Sequence, residues 1–104
     1  MVAVINHLHF NRPVDEFQQP LAEDGLPLLA SMPGFRGFYF VREAKDRAAV
    51  IILWEDVDAA AAGAMKFGPG WFNTNLAPHL ASEQVRSAGE VLLQSAGGLP
   101  ATTE

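Results

Sequence analysis

After its first residue, the stretch Arg47 to Trp54 (Arg-Ala-Ala-Val-Ile-Ile-Leu-Trp) carries no polar side chain. Its length and β-branched content read as a strand, and a strand apolar on both faces needs cover on both. The segment before it, Phe35 to Arg42, is aromatic and β-branched, and Ala44-Lys45-Asp46 between them forms a polar turn, so the two runs make a β-hairpin. An antiparallel hairpin in a small domain usually wets one face. The run therefore implies helices on one side and something else, such as a partner subunit, on the other.

The rest of the chain supplies the other elements. Val2 to Phe10 alternates as a strand, with Val2, Val4, Asn6, Leu8 and Phe10 on one face and Ala3, Ile5, His7 and His9 on the other. From Val14 to Met32, apolar residues recur at helical spacing (Val14, Phe17, Leu21, Leu28, Met32). Pro20, Gly25 and Pro27 interrupt that helix, which is expected to be kinked or in two pieces. Met32-Pro33-Gly34 stops it. Asp56 is placed to cap a helix over Val57 to Phe67, whose side chains are unusually small. A helix so thin either packs very close to the sheet or leaves a hollow beside it. Gly68-Pro69-Gly70 reads as punctuation before a short helical piece from Trp71 to Leu80, with Pro78 late in it. There Phe72, Leu76 and Leu80 form a core stripe, and Trp71, Asn75 and His79 share an adjacent face. Glu83 to Gln94 is expected to be the last strand.

The order strand, helix, strand, strand, helix, strand in a chain of 104 residues predicts one domain. It is an α+β ferredoxin-like βαββαβ sandwich, with a four-stranded antiparallel sheet and helices on one face. That domain runs over residues 2–94, and the small-residue tail 95–104 is expected to be disordered. The other sheet face, with Ile5, Phe38 or Tyr39 and half of the Arg47–Trp54 strand, would be an apolar patch larger than a soluble monomer exposes. A second copy packing sheet to sheet would cover it.

Composition removes several classes of function. There is no cysteine, hence no disulfide, thiolate metal site or thiol nucleophile, which fits a reducing compartment such as the cytoplasm. Twelve acidic and seven basic residues give a net charge of −5, with no basic cluster for nucleic acid. No stretch reaches membrane-spanning length, and Asn6, His7 and His9 interrupt the N-terminal apolar run too early for a signal peptide. No phosphate loop, dinucleotide fingerprint or Ser/His/Asp arrangement is visible. His7 and His9 share a strand face but lack a third ligand, so no metal site is assigned to them. Arg36, Arg42 and Arg86 read as rim or inter-strand charges.

The Pro-Gly-Phe-x-Gly-Phe segment at Pro33 to Phe38, the apolar strand ending in Trp54-Glu55, the alanine-rich helix after it and the late helical piece with His79 resemble the antibiotic biosynthesis monooxygenase family. The likeness covers about residues 2 to 94 in order and spacing. It implies dimeric α/β barrels and an activity among cofactor-independent monooxygenases of phenols, haem-degrading enzymes and quinol-modifying enzymes. By the residues alone, Asn6 stands out: an amide among apolar neighbours that must find partners or carry a desolvation cost of about 1–3 kcal/mol. By resemblance, Asn6 faces a pocket between sheet and helices, and Trp71 and His79 bind an aromatic substrate and handle a proton or a developing negative charge. Asn6, Trp71 and His79 are thus the candidate catalytic residues of a homodimeric monooxygenase that uses no cofactor. The alternatives are a haem protein with His79 on iron and a non-catalytic binder of a small apolar metabolite. Against haem, the bulky tryptophan that the haem degraders carry on the helix after the third strand is replaced here by Ala59 to Ala64.

Overall fold

The structure, a computed structural model, describes residues 1–95; the tail expected to be disordered lies, beyond Ser95, outside the described residues. Strands β1 (Val2–His9), β2 (Phe35–Ala44), β3 (Arg47–Trp54) and β4 (Val85–Glu90) form one antiparallel sheet in the order β2-β3-β1-β4. With its helices in the first and second crossovers, this is the α+β ferredoxin-like sandwich.

β3 takes an inner place, as its two apolar faces require, paired with β1 on one side and β2 on the other. Ala48, Val50, Ile52 and Trp54 are buried in the main core. On the opposite face, Ala49 and Leu53 are buried as well, although among the described residues no second layer lies there. Flanking strands do part of the covering that seemed to demand a partner: a Cβ built on Gly37, in register with Leu53, would stand 3.2 Å from Leu53 Cδ1. The outer members of that face stay bare, Tyr39 at 56% and Val85 at 65% exposure.

The first helical region runs through α1 (Asp15–Pro20), a π segment (Leu21–Gly25) and α2 (Leu26–Ala30). It does not break. The junction residues Pro20, Leu21, Gly25 and Leu26 keep right-handed helical angles, and the Leu26 N–H bonds back to the Leu21 carbonyl, five residues earlier. A π turn holds one residue more than an α turn. That extra residue corrects the expected core stripe: Leu29, fully buried, takes the place assigned to Leu28, which is 36% exposed.

Gly34, with φ of +82°, turns the chain into β2, and a Cβ there would meet Ala59 Cβ at 2.5 Å. α3 (Val57–Phe67) begins as read, the Asp56 carboxylate accepting the Ala59 N–H at 2.8 Å. The chain after it departs from expectation. Gly68–Phe72 is a second π segment with non-helical angles at Gly70, α4 is only Asn73–Asn75, and Ala77–His79 is a 3₁₀ turn. Leu76 is fully buried; Phe72 and Leu80 are only half-buried.

β4 is shorter than Glu83 to Gln94. Its partner β1 begins at Val2, so after the Val91 N–H bonds to the Met1 carbonyl at 2.9 Å no ladder remains. Leu92 and Leu93 are then exposed. Among the described residues no helix is long and apolar enough to cross a membrane.

Candidate active site

α3 reaches the sheet at one point and stands off it at others, and that difference makes a cavity. At Gly63 the approach is so close that a Cβ would lie 2.3 Å from Trp54 Cη2. Beside that contact, Ala60 and Ala64 are too short to fill the gap. A cavity of about 230 Å³ remains, floored by Val4, Val50, Ile52 and Phe38, with Leu21 and Leu29 from the first helical region also on its wall. The small-residue helix thus does both things its sequence allowed.

The wall is apolar except for Asn6, Gln84 and Arg86. β1 sends Asn6 to the helix side by alternation with Val4 and Leu8. β4 pairs with β1 so that Arg86 is the register partner of Asn6, which brings amide and guanidinium to one end of the cavity. Arg12, Arg36 and Arg42 pair with Glu16, Glu55 and Asp15 respectively. Among the described residues, neither the Asn6 side chain nor Arg86 has a protein hydrogen-bond or ion-pair partner. A neutral amide and a cation at the end of an apolar cavity suit a flat apolar ligand with an anionic or strongly accepting oxygen at one end.

Trp71 and His79 are not part of this wall. Trp71 packs on the first helical region, where a Cβ on Gly25 would be 3.0 Å from its Cζ3, and stacks on Phe67 with ring centroids 5.6 Å apart. The His79 ring lies 5.5 Å from that of Phe17. Asn75 donates to the Trp71 carbonyl at 2.9 Å. The expectation that Trp71 and His79 line a pocket with Asn6 is corrected by this placement: Trp71 stands behind the wall residue Phe67, and His79 packs on Phe17 of α1. The periodicity that joined them assumed a regular helix, but the α piece ends at Asn75 and Ala77–His79 is a 3₁₀ turn.

Three wall residues escaped the sequence reading. Trp54 reads only as the end of a strand, Gln84 only as part of the last strand, and Arg86 as a rim or inter-strand charge. Alternation does group Gln84, Arg86, Ala88 and Glu90, but only the register with β1 shows which side faces the helices.

The two strand histidines are occupied locally. His7 Nδ1 lies 3.1 Å from Glu43 and His9 Nε2 lies 3.0 Å from Asp46, both carboxylates coming from the β2–β3 hairpin. The hydrogen bond with His9 holds the Asp46 carboxyl below its ordinary value. Ser82 Oγ stands 3.4 Å from His9 Nδ1, so a Ser/His/Asp grouping invisible in the sequence does form. It lies outside the central cavity and ties the end of β1 to the hairpin turn. Among the described residues no three ligating side chains cluster as a metal site.

No family model matches the chain, and no curated protein matches it. Solved structures match closely in shape. A variant of SnoaB, a cofactor-independent oxygenase from Streptomyces nogalater, superposes with a TM-score of 0.74 at 20% identity, over 89% of this chain and 94% of that one. A putative antibiotic biosynthesis monooxygenase from Bordetella bronchiseptica gives 0.72 at 16% identity, over 88% and 97%. The haem degrader MhuD from Mycobacterium tuberculosis, with two haems bound in its active site, gives 0.69 at 23% identity, over 92% and 100%. The architecture is that of the antibiotic biosynthesis monooxygenases. At these identities the likeness concerns the fold.

Proposed function

We propose that the protein is a cofactor-independent monooxygenase that oxidises a small phenol, quinol or anthrone-like substrate with O₂. The observation that carries this reading is the unpartnered Asn6–Arg86 pair at one end of an apolar cavity of about 230 Å³. An anthrone-like substrate illustrates the chemistry. Its ring system lies between the sheet floor and α3, and its oxygen faces Asn6 and Arg86. Both groups stabilise the enolate left when a ring CH₂ loses a proton. The carbanion gives electrons to O₂; one oxygen atom ends on the carbon as a carbonyl, and the other leaves as water with the two hydrogens lost. The chain's part is to bind, exclude water and hold the anion.

The cavity size favours this over the haem reading. Sites for drug-sized ligands occupy about 300–1,000 Å³, and this one is smaller, suited to a few fused rings and too small for a porphyrin. His79, the ligand which that reading requires, packs on Phe17 instead. The similarity to SnoaB supports the oxygenase reading, whereas MhuD shows that the same fold houses haem.

We further propose that two copies pack through the bare sheet face, where Tyr39, Val41 and Val85 are exposed.

Oxygen uptake with a panel of phenols, quinols and anthrones tests the activity, wild type beside Arg86→Gln and Asn6→Ala. Saturable uptake is expected in the wild type, with kcat/KM lowered about 10- to 100-fold by Arg86→Gln, the worth of a hydrogen bond to a charged group. Saturable binding without uptake across the panel would replace the enzyme with a non-catalytic binder. Unchanged kinetics in both variants would remove the Asn6–Arg86 end from the mechanism.

A further inference from the structure

A second cavity, of about 370 Å³, lies on the same side of the sheet between α1 and β2, with Gln18, Ala22 and Phe40 on its wall and the Arg42–Asp15 ion pair at its rim. Two residues face both spaces: Leu21, from the π segment, and Phe38, from β2. The first cavity has its polar end at Arg86 on β4, one edge of the sheet, and Phe38 stands on β2, the other edge. Adjacent strands are about 4.8 Å apart, so β4 and β2 are separated by about 14 Å. A ligand anchored by its oxygen at Arg86 and extending across the floor therefore meets the Phe38 ring, and beyond that ring there is open volume.

We propose that Phe38 sets the length of the substrate. It is the partition between the two cavities, stopping an aromatic ligand at two or three fused rings although space for another ring lies behind it. The inference rests on the reading of the first cavity as an aromatic site with its polar end at Asn6 and Arg86. Leu21 forms the other side of the partition, held by the π segment. Its aliphatic side chain presents less area than the phenyl ring, so the ring is the side chain whose removal joins the cavities. Phe40, two residues along β2, faces the second cavity alone, and shortening it enlarges that space without opening it to the first.

Calorimetric titration with 2-naphthol and 6-phenyl-2-naphthol tests this. The two probes share a phenol end and differ by one distal ring. The wild type is expected to bind 2-naphthol saturably and the longer probe at least about tenfold more weakly, the scale on which apolar pockets discriminate by size. Phe38→Ala is expected to bring the longer probe to parity with 2-naphthol or better, read as the ratio of the two affinities within that variant, whereas Phe40→Ala leaves the wild-type ratio intact. Circular dichroism checks folding. Should Phe38→Ala not fold, Phe38→Leu is read instead, with a partial gain expected. If the wild type discriminates and neither Phe38 variant relieves it, or if the wild type binds both probes equally, the partition is overturned and the aromatic site stands. If neither probe binds the wild type, the reading of the site itself fails, and the partition with it.

Discussion

The two faces of the sheet share the same central strand and meet different fates. On the helix side, alternate residues of β3 sit beneath α3, and the helix departs from the floor only where Ala60 and Ala64 leave room. On the other side, Ala49 and Leu53 are buried by their flanking strands while Tyr39 and Val85 at the outer strands are not. Apolar sequence alone says that both faces need cover. The structure separates two kinds of cover: a central strand obtains much of it from neighbours in its own sheet, and only the outer strands require another layer.

The largest effect is expected where the helix face is tightest. Gly63→Ala puts a methyl group into the Trp54 indole. Overpacking of a well-packed site costs about 1–3 kcal/mol, occasionally more, and the upper end is expected because a rigid ring and a helix backbone oppose each other there. In a domain of this size that lowers Tm by about 10 °C or more. Gly68→Ala, at a position with nothing within 4 Å and helical angles, is the contrasting control and should change stability by no more than about 1 kcal/mol, in the stabilising direction. Equal losses in the two thermal melts would show that the close helix–sheet contact is not what holds the helix face together.

Next comes the bare face. Tyr39→Lys, by sedimentation velocity at micromolar concentration, is expected to convert a wild-type dimer to monomer. The folded monomer should keep its stability to within about 0.5 kcal/mol, as for an exposed position. A wild type that sediments as a monomer at that concentration would leave the outer strands uncovered and break the comparison of faces at its second term.

The smallest effect belongs to the lower end of the sheet, where the His9–Asp46 bond clasps β1 to the hairpin. The Asp46 carboxyl is held below its ordinary value of 3.8, first by the hydrogen bond with His9. Its folded value is thus below its unfolded one, so the contribution is present above pH 3.8 and is lost as pH falls through the lower folded value. Asp46→Asn should flatten that part of the acid limb of a stability–pH curve and leave the rest unchanged. The site is exposed, and an acid limb identical in the two proteins would show that solvent screens the clasp completely.

Much of the architecture was legible because its signals were local and regular. Asp56 ahead of an uninterrupted run gave α3 its limits, and the polar turn at Lys45-Asp46 marked the hairpin. Legibility ended where the helical repeat changed. The π turn at Leu21–Gly25 moves the buried stripe from Leu28 to Leu29, and between Gly68 and His79 the chain passes through π, α and 3₁₀ turns. Spacings of four and eight residues cannot keep one face through turns of differing size, so Trp71 and His79 were grouped on a face that does not exist. Asn6 could be singled out because an amide on an apolar strand face is anomalous by itself. Arg86 could not, since an arginine on an edge strand is ordinary until its register with Asn6 is known.

The contact between Trp54 and Gly63 also has a spectroscopic consequence. The chain has two tryptophans: Trp54 is buried and on the cavity wall, while Trp71 is half-exposed and outside it. Indole emission shifts with the polarity around the ring, and of the two Trp54 is the one in direct contact with what enters the cavity. A Trp71→Phe variant would leave a single emitter at the site, and the molecule would report its own occupancy without a label.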